Sequence, residues 1–199
     1  DAEFHLHSYE HDPEMPRGFR TDLRQGIEAF EAFFGCRPQG YRAPLGKLTA
    51  SQLTTLDREG FAFDSSIFPS YRPGVYRNLD TPLEPYSPGP APELLEIPIG
   101  VVRGLRIPLS QNYLKLFGEP LLGLLSEQLL PDTLVYNIHL QDLYRTASHG
   151  KLPLVKRHII NRNLDESVEI LEASVERILS KGYEPVTLTD IHERYRALE

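Results

Sequence analysis

Two histidines open the chemistry of this 199-residue chain, His7 and His11 in the run His7-Ser8-Tyr9-Glu10-His11. Imidazole is the commonest side-chain metal ligand. A spacing of four lets both rings turn toward one ion, from a single helical turn or from a tight loop after a strand. A catalytic zinc takes three protein ligands and keeps one position open, so the pair is part of a site and not the whole of one. Further along stand three more candidates. Arg42 precedes Ala43-Pro44, Asp64 sits in Phe63-Asp64-Ser65-Ser66, and His139 ends Val135-Tyr136-Asn137-Ile138.

The elements that must position these groups alternate between strand and helix. Thr21 to Phe34 carries Leu23, Ile27, Phe30 and Phe34 at helical spacing, with Thr21 able to cap and Gly35 able to terminate. Gln39 to Arg42 leads into a short strand and the turn Ala43-Pro44-Leu45. Thr49-Ala50-Ser51-Gln52 is a capping box, with Leu53 and Leu56 inward and Gly60 as terminator. Phe61 to Asp64 reads as a strand ending in polar residues. Residues 69–92, rich in Pro, Tyr and Gly, form a long excursion, either a functional loop or a solvated connector. Its Tyr71, Tyr76 and Tyr86 read as solvated loop residues.

Leu94 to Ile99 reads as a strand, Tyr113 to Leu130 as a helix, and Leu134 to Ile138 as a strand leading into His139. Asp165 to Ser180 is the clearest helix, with the stripe Val168, Leu171, Val175 and Ile178, a cap at Asn163 and an end at Gly182. Pro185 to Leu188 reads as a last strand, followed by a short helix from Asp190. Alternation of this kind without a Gly-rich phosphate loop predicts one α/β domain over residues 1–199, a barrel or a doubly wound sheet. In both, chemistry gathers at the carboxyl ends of the strands. The candidates fall at such ends.

Composition narrows the functional classes. Hydrophobic residues make up 40% and charged residues 25%, as in ordinary globular proteins. A net charge of −7 argues against a nucleic-acid partner. No apolar run is long enough to span a membrane. The lone Cys36 excludes an internal disulfide and has no Cys-His pattern around it. The start, Asp1-Ala2-Glu3-Phe4, has no initiator Met and no signal core, so a chain cut at its N-terminus is expected. His149, His158 and His192 belong to no pattern and read as surface residues.

Taken in order, these runs resemble the polysaccharide deacetylases of the NodB-homology type, carbohydrate esterase family 4. The family's H-[ST]-x-x-H motif is matched by His7 to His11, its R-x-P by Arg42-Ala43-Pro44, its strand-end Asp by Asp64, and its strand-end His by His139. The run Asp64 to Pro69 and the strand Val186 to Thr189 resemble a branch that processes exopolysaccharide or cell-surface glycans. The likeness covers nearly the whole chain except the family's first motif, an Asp-Asp strand supplying the general base and third metal ligand. Asp1 and Glu3 do not match that motif. Glu3 aligns with a Glu just before the His pair, and His5 falls on a Gly position and is not counted as a ligand.

The resemblance implies a distorted (β/α) barrel lacking its first strand. It also implies a metal-dependent hydrolase that removes N-acetyl or related acyl groups from a glycan or an N-acylated small molecule. A divalent ion, zinc first, would bind His7 and His11. His139 would protonate the departing amine, since imidazole titrates near neutrality. Arg42 would hold the catalytic Asp ionised, Asp64 would orient His139, and the Leu45 N–H would stabilise the oxyanion. Ser8 would brace the metal loop and Glu10 would face solvent. Two other readings stay open: the same fold acting on a small amide, as in allantoinase-like members, and a glycan-binding domain without turnover.

Overall fold

The apolar stripe of residues 19–34 folds as expected into a helix, α1 (Phe19–Phe34), closed by Gly35 in the left-handed conformation. The structure, a computed structural model, describes residues 2–12, 14–15, 17–125 and 129–198. It divides into two units, residues 1–98 with 185–199, and residues 99–184.

In the first unit a parallel sheet lies beside α1. Its strands are β1 (Gly40–Tyr41), β2 (Phe63–Asp64) and, further along, Leu95–Glu96, in that order across the sheet. Leu6 adds a parallel bridge to Tyr41, with Leu6 N–H on the Gly40 carbonyl and Arg42 N–H on the Leu6 carbonyl. The Pro44–Gly46 turn and α2 (Ala50–Arg58) connect β1 to β2. Thr49 caps α2 through the expected box with Gln52. α1 starts earlier than Thr21, at Phe19 behind Gly18, because Phe19 packs against the core. That core gathers Leu6, Leu23, Ile27, Tyr41, Leu56, Phe61 and Leu94. Burying side chains of this size is worth roughly 1.5–3 kcal/mol each.

Residues 69–92 hold a small antiparallel hairpin, β3 (Tyr71–Arg72) and β4 (Tyr76–Arg77), before β5 (Leu95–Glu96). Tyr86 bridges Glu96. The strand expected at Pro185–Leu188 does not form. Thr187 and Asp190 make a capping box, and the segment enters a helix at Leu188 instead.

The second unit carries the hairpin β6 (Val101–Val102) and β7 (Ile107–Pro108). The helix expected from Tyr113 to Leu130 is two helices, α3 (Gln111–Phe117) and α4 (Glu119–Gly123). Gly118, at φ 60°, breaks it, and Pro120 starts the next turn. Residues 126–128 of the expected helix lie outside the described residues. Leu134–Ile138 forms no extended strand among the described residues; Asn137 bridges Ser110, Gly100 N–H donates to the Val135 carbonyl, and then α5 (Leu140–Leu143) begins. α6 (Leu154–Asn161) and α7 (Ser167–Leu179) follow, and in the first unit α8 (Leu188–Arg196) ends the chain's helices.

α7 buries Ile178 of its aliphatic stripe together with two serines rather than the whole stripe. Ser167, Ser174 and Ile178 are buried, while Val168 and Val175 stay partly exposed. The small serines allow close approach. Ser167 Oγ–H donates to the Leu143 carbonyl, and Gln111 donates to the Ser167 carbonyl. Asn163 does not cap α7; its side chain donates to the Lys115 carbonyl. His149, expected at the surface, is buried. Among the described residues, no strand pairing closes either set of strands into a barrel.

Candidate functional site

His7 follows directly on Leu6, at the carboxyl end of the segment bridged to β1. The chain then turns sharply, with Ser8 at φ 60° and His11 at φ 53°. The H-x-x-x-H run is thus a loop and not a helical turn. Asp22, buried in the first turn of α1, holds it. Tyr9 N–H donates to Asp22 Oδ2 at 3.0 Å and Glu10 N–H to Oδ1 at 2.9 Å. Ser8 Oγ accepts the His11 N–H at 2.8 Å, which is the bracing role expected of it. Glu10 is exposed and pairs with Arg17 at 3.1 Å.

The two rings converge. His7 Nε2 and His11 Nε2 stand 2.9 Å apart. His7 Nδ1 lies 2.7 Å from the Arg42 carbonyl oxygen. A carbonyl only accepts, so Nδ1 carries the proton and Nε2 presents its lone pair toward His11. Second contacts of this kind orient metal-binding histidines. Two nitrogens on one tetrahedral zinc stand about 3.3 Å apart, given Zn–N near 2.05 Å. The pair therefore fits a shared ion after the rings open by about 0.4 Å. Among the described residues no third His, Cys, Asp or Glu completes a cluster with them. Asp1 lies outside the described residues.

Arg42 continues from β1. Its Nε–H donates to the Ser65 carbonyl and its Nη2–H to Ser65 Oγ, both at 2.7 Å. Burial lowers its pKa, and the charges of Asp64 and Glu96 oppose that. Leu45, two residues past Ala43, takes φ 57° inside the Pro44–Gly46 turn. Among the described residues its N–H donates no hydrogen bond. Gly46 follows at φ 66°, where a Cβ would come within 2.6 Å of the Ser66 carbonyl, so only glycine fits this turn.

Asp64 ends β2 and is fully buried. Ser66 donates to it twice, Oγ–H to Oδ1 at 2.7 Å and N–H to Oδ2 at 3.2 Å. Beside it in register is Glu96, also fully buried, which accepts the Ile67 N–H at 3.0 Å. Sequence reading passed over Glu96. The signal was present: a carboxylate inside the apolar run Leu94-Leu95-Glu96-Ile97.

In the second unit His139 caps α5, with its side chain half exposed at 51%. The carboxylate that holds it is Asp142, three residues on and buried. Asp142 Oδ2 accepts the His139 N–H at 2.9 Å and lies 3.3 Å from His139 Nδ1. The Asp expected to orient His139 was Asp64; the partner found is Asp142, another residue that sequence reading missed.

Glu3 and His5 form a clasp. Glu3 accepts from Leu188 N–H at 2.7 Å and Thr189 Oγ–H at 2.6 Å, and pairs with His5 at 2.9 Å. Its carboxylate thus covers the start of α8.

No protein-family model matches the chain. No curated protein matches it. Among solved structures it resembles the putative polysaccharide deacetylase of Mycobacterium smegmatis, with a TM-score of 0.56 and 18% identity over 98% of this chain. The chain spans 63% of that protein's length. At this identity the likeness is one of fold, a mixed arrangement of helices and strands.

Proposed function

We propose that this chain belongs to a hydrolase that removes an N-acyl group, acetyl in the first place, from a glycan. The observation that carries the reading is the convergence of His7 and His11, with His7 fixed by the Arg42 carbonyl. The fold likeness to a protein named for polysaccharide deacetylation, and the ordered Arg42, Asp64 and His139, support it. The finer assignment is the NodB-homology type with its distorted barrel.

A divalent ion, zinc in this reading, would supply polarisation of the acyl carbonyl and a more acidic bound water. His7 and His11 would hold it, and the resemblance calls for carboxylates as third ligand and as base. The Leu45 N–H, which donates no hydrogen bond among the described residues, would donate to the oxygen that gains charge. Water adds to the acyl carbon, the C–N bond breaks, and His139 would deliver the proton the leaving nitrogen needs. Asp142 would keep the His139 ring in one orientation. Arg42 would brace His7 and hold the base ionised.

The test is acetate release from N-acetylated oligosaccharides by the protein, with and without chelator. Release that stops with chelator and returns with zinc is expected. Oligosaccharide binding without release would overturn the enzyme reading and favour a glycan-binding domain. Release from small cyclic amides alone would overturn the glycan assignment.

A further inference from the structure

Asp64 and Glu96 are registered partners on the neighbouring parallel strands β2 and β5, and neither is accessible to solvent. Registered residues of adjacent strands project to one face, so the two carboxyl groups meet. Three of their four oxygens have donors: Ser66 Oγ–H and N–H on Asp64, and Ile67 N–H on Glu96 Oε1. Glu96 Oε2 is buried with no donor among the described residues. Its registered neighbour is the Asp64 carboxyl group, which when ionised offers no donor either. Two ionised carboxylates cannot hydrogen-bond, because each only accepts. One proton supplies the missing donor. It satisfies Oε2 and turns Glu96 into a donor toward Asp64.

The surrounding charges agree. The cation acting on both groups is Arg42, and the hydrogen bonds of its guanidinium go to Ser65. One cation balances one anion, and a second buried charge would stand unpaired. Tyr41 and Tyr86 also face the pair. Burial, and then the nearby carboxylates, push both hydroxyls up, so they stay neutral.

We propose that Asp64 and Glu96 form a carboxylate–carboxylic acid pair sharing one proton at neutral pH, with Glu96 as donor. Burial and the charge of Asp64 both raise Glu96 well above the usual carboxylate range. Burial raises Asp64 as well, against the pull of its hydrogen bonds and Arg42.

Infrared spectroscopy of the metal-free protein at pH 7 tests this. Wild type should show the C=O stretch of a buried protonated carboxyl group, and Glu96→Gln and Asp64→Asn should each lose it. Carbon-13 labelling of glutamate in wild type reads the same group without substitution, and one glutamate carboxyl should resonate as the acid. A wild-type spectrum without that band, a band that persists in Glu96→Gln, or glutamates that are all ionised would overturn the proposal. Zinc takes no part in these spectra, so their failure leaves the deacylase reading standing, and the reverse holds.

Discussion

His7 gives its Nδ1 proton to the main-chain oxygen of Arg42 at 2.7 Å. One contact thereby joins two segments 35 residues apart in sequence and decides which nitrogen of His7 faces His11. Because the acceptor is main chain, no side-chain substitution at 42 removes it directly. What a substitution can loosen is the loop that carries the two rings.

Asp22 is the anchor of that loop. It is buried and accepts two main-chain N–H groups. Asp22→Ala should cost about 2–3 kcal/mol, since hydrogen bonds to a charged group contribute about 1.5–3 kcal/mol each and do not add fully. Ser8→Ala, which loses one bond, should cost about 1 kcal/mol. Urea midpoints at matched m-values measure both, and zinc affinity should fall in the same order.

The Glu3 clasp sets a pH dependence on the acid side. Burial raises the Glu3 carboxyl, but the hydrogen bonds from Thr189, His5 and Leu188 outweigh it and leave the pKa below its ordinary value. A lowered folded pKa contributes stability that is present above the unfolded value and lost as pH falls through the folded one. Glu3→Gln should therefore lose about 1 kcal/mol at pH 7, the size of a helix cap. The difference from wild type should shrink as pH drops below about 4.5. Urea denaturation at pH 7 and at successively lower pH measures it.

Asp142 should matter more to turnover than to folding. Asp142→Asn keeps an acceptor for the His139 N–H, so the cap of α5 survives. It loses the charged acceptor beside Nδ1. If the proposed deacylation holds, kcat should fall by about tenfold, or about 1.4 kcal/mol, with KM little changed. Steady-state acetate release measures the split.

How much of this was legible in the sequence follows from where each contact reaches. The His7–His11 spacing, Arg42, the Thr49–Gln52 capping box and the apolar face of α1 are local patterns, and the chain displays them directly. Asp22 is an ordinary first-turn acid until Tyr9 and Glu10, thirteen and twelve residues upstream, fold onto it. Glu96 looks like a flaw in an apolar strand until its register brings Asp64 alongside. The aliphatic stripe of α7 misled because Ser167 and Ser174 bring the backbones close, and periodicity scores side-chain polarity, not approach. Asp142 was within reach: a carboxylate three residues after a strand-end His is a cap signal.

Zinc titration of this chain by calorimetry tests the central claim, that His7 and His11 hold one divalent ion. Structural sites with four ligands bind with about 10–16 kcal/mol. Two imidazoles supply about half the ligands, so one-to-one binding weaker than about 1 µM is expected. It should be lost in both His7→Ala and His11→Ala. Zinc binding that survives in the double variant, or nanomolar affinity in wild type, would contradict the account.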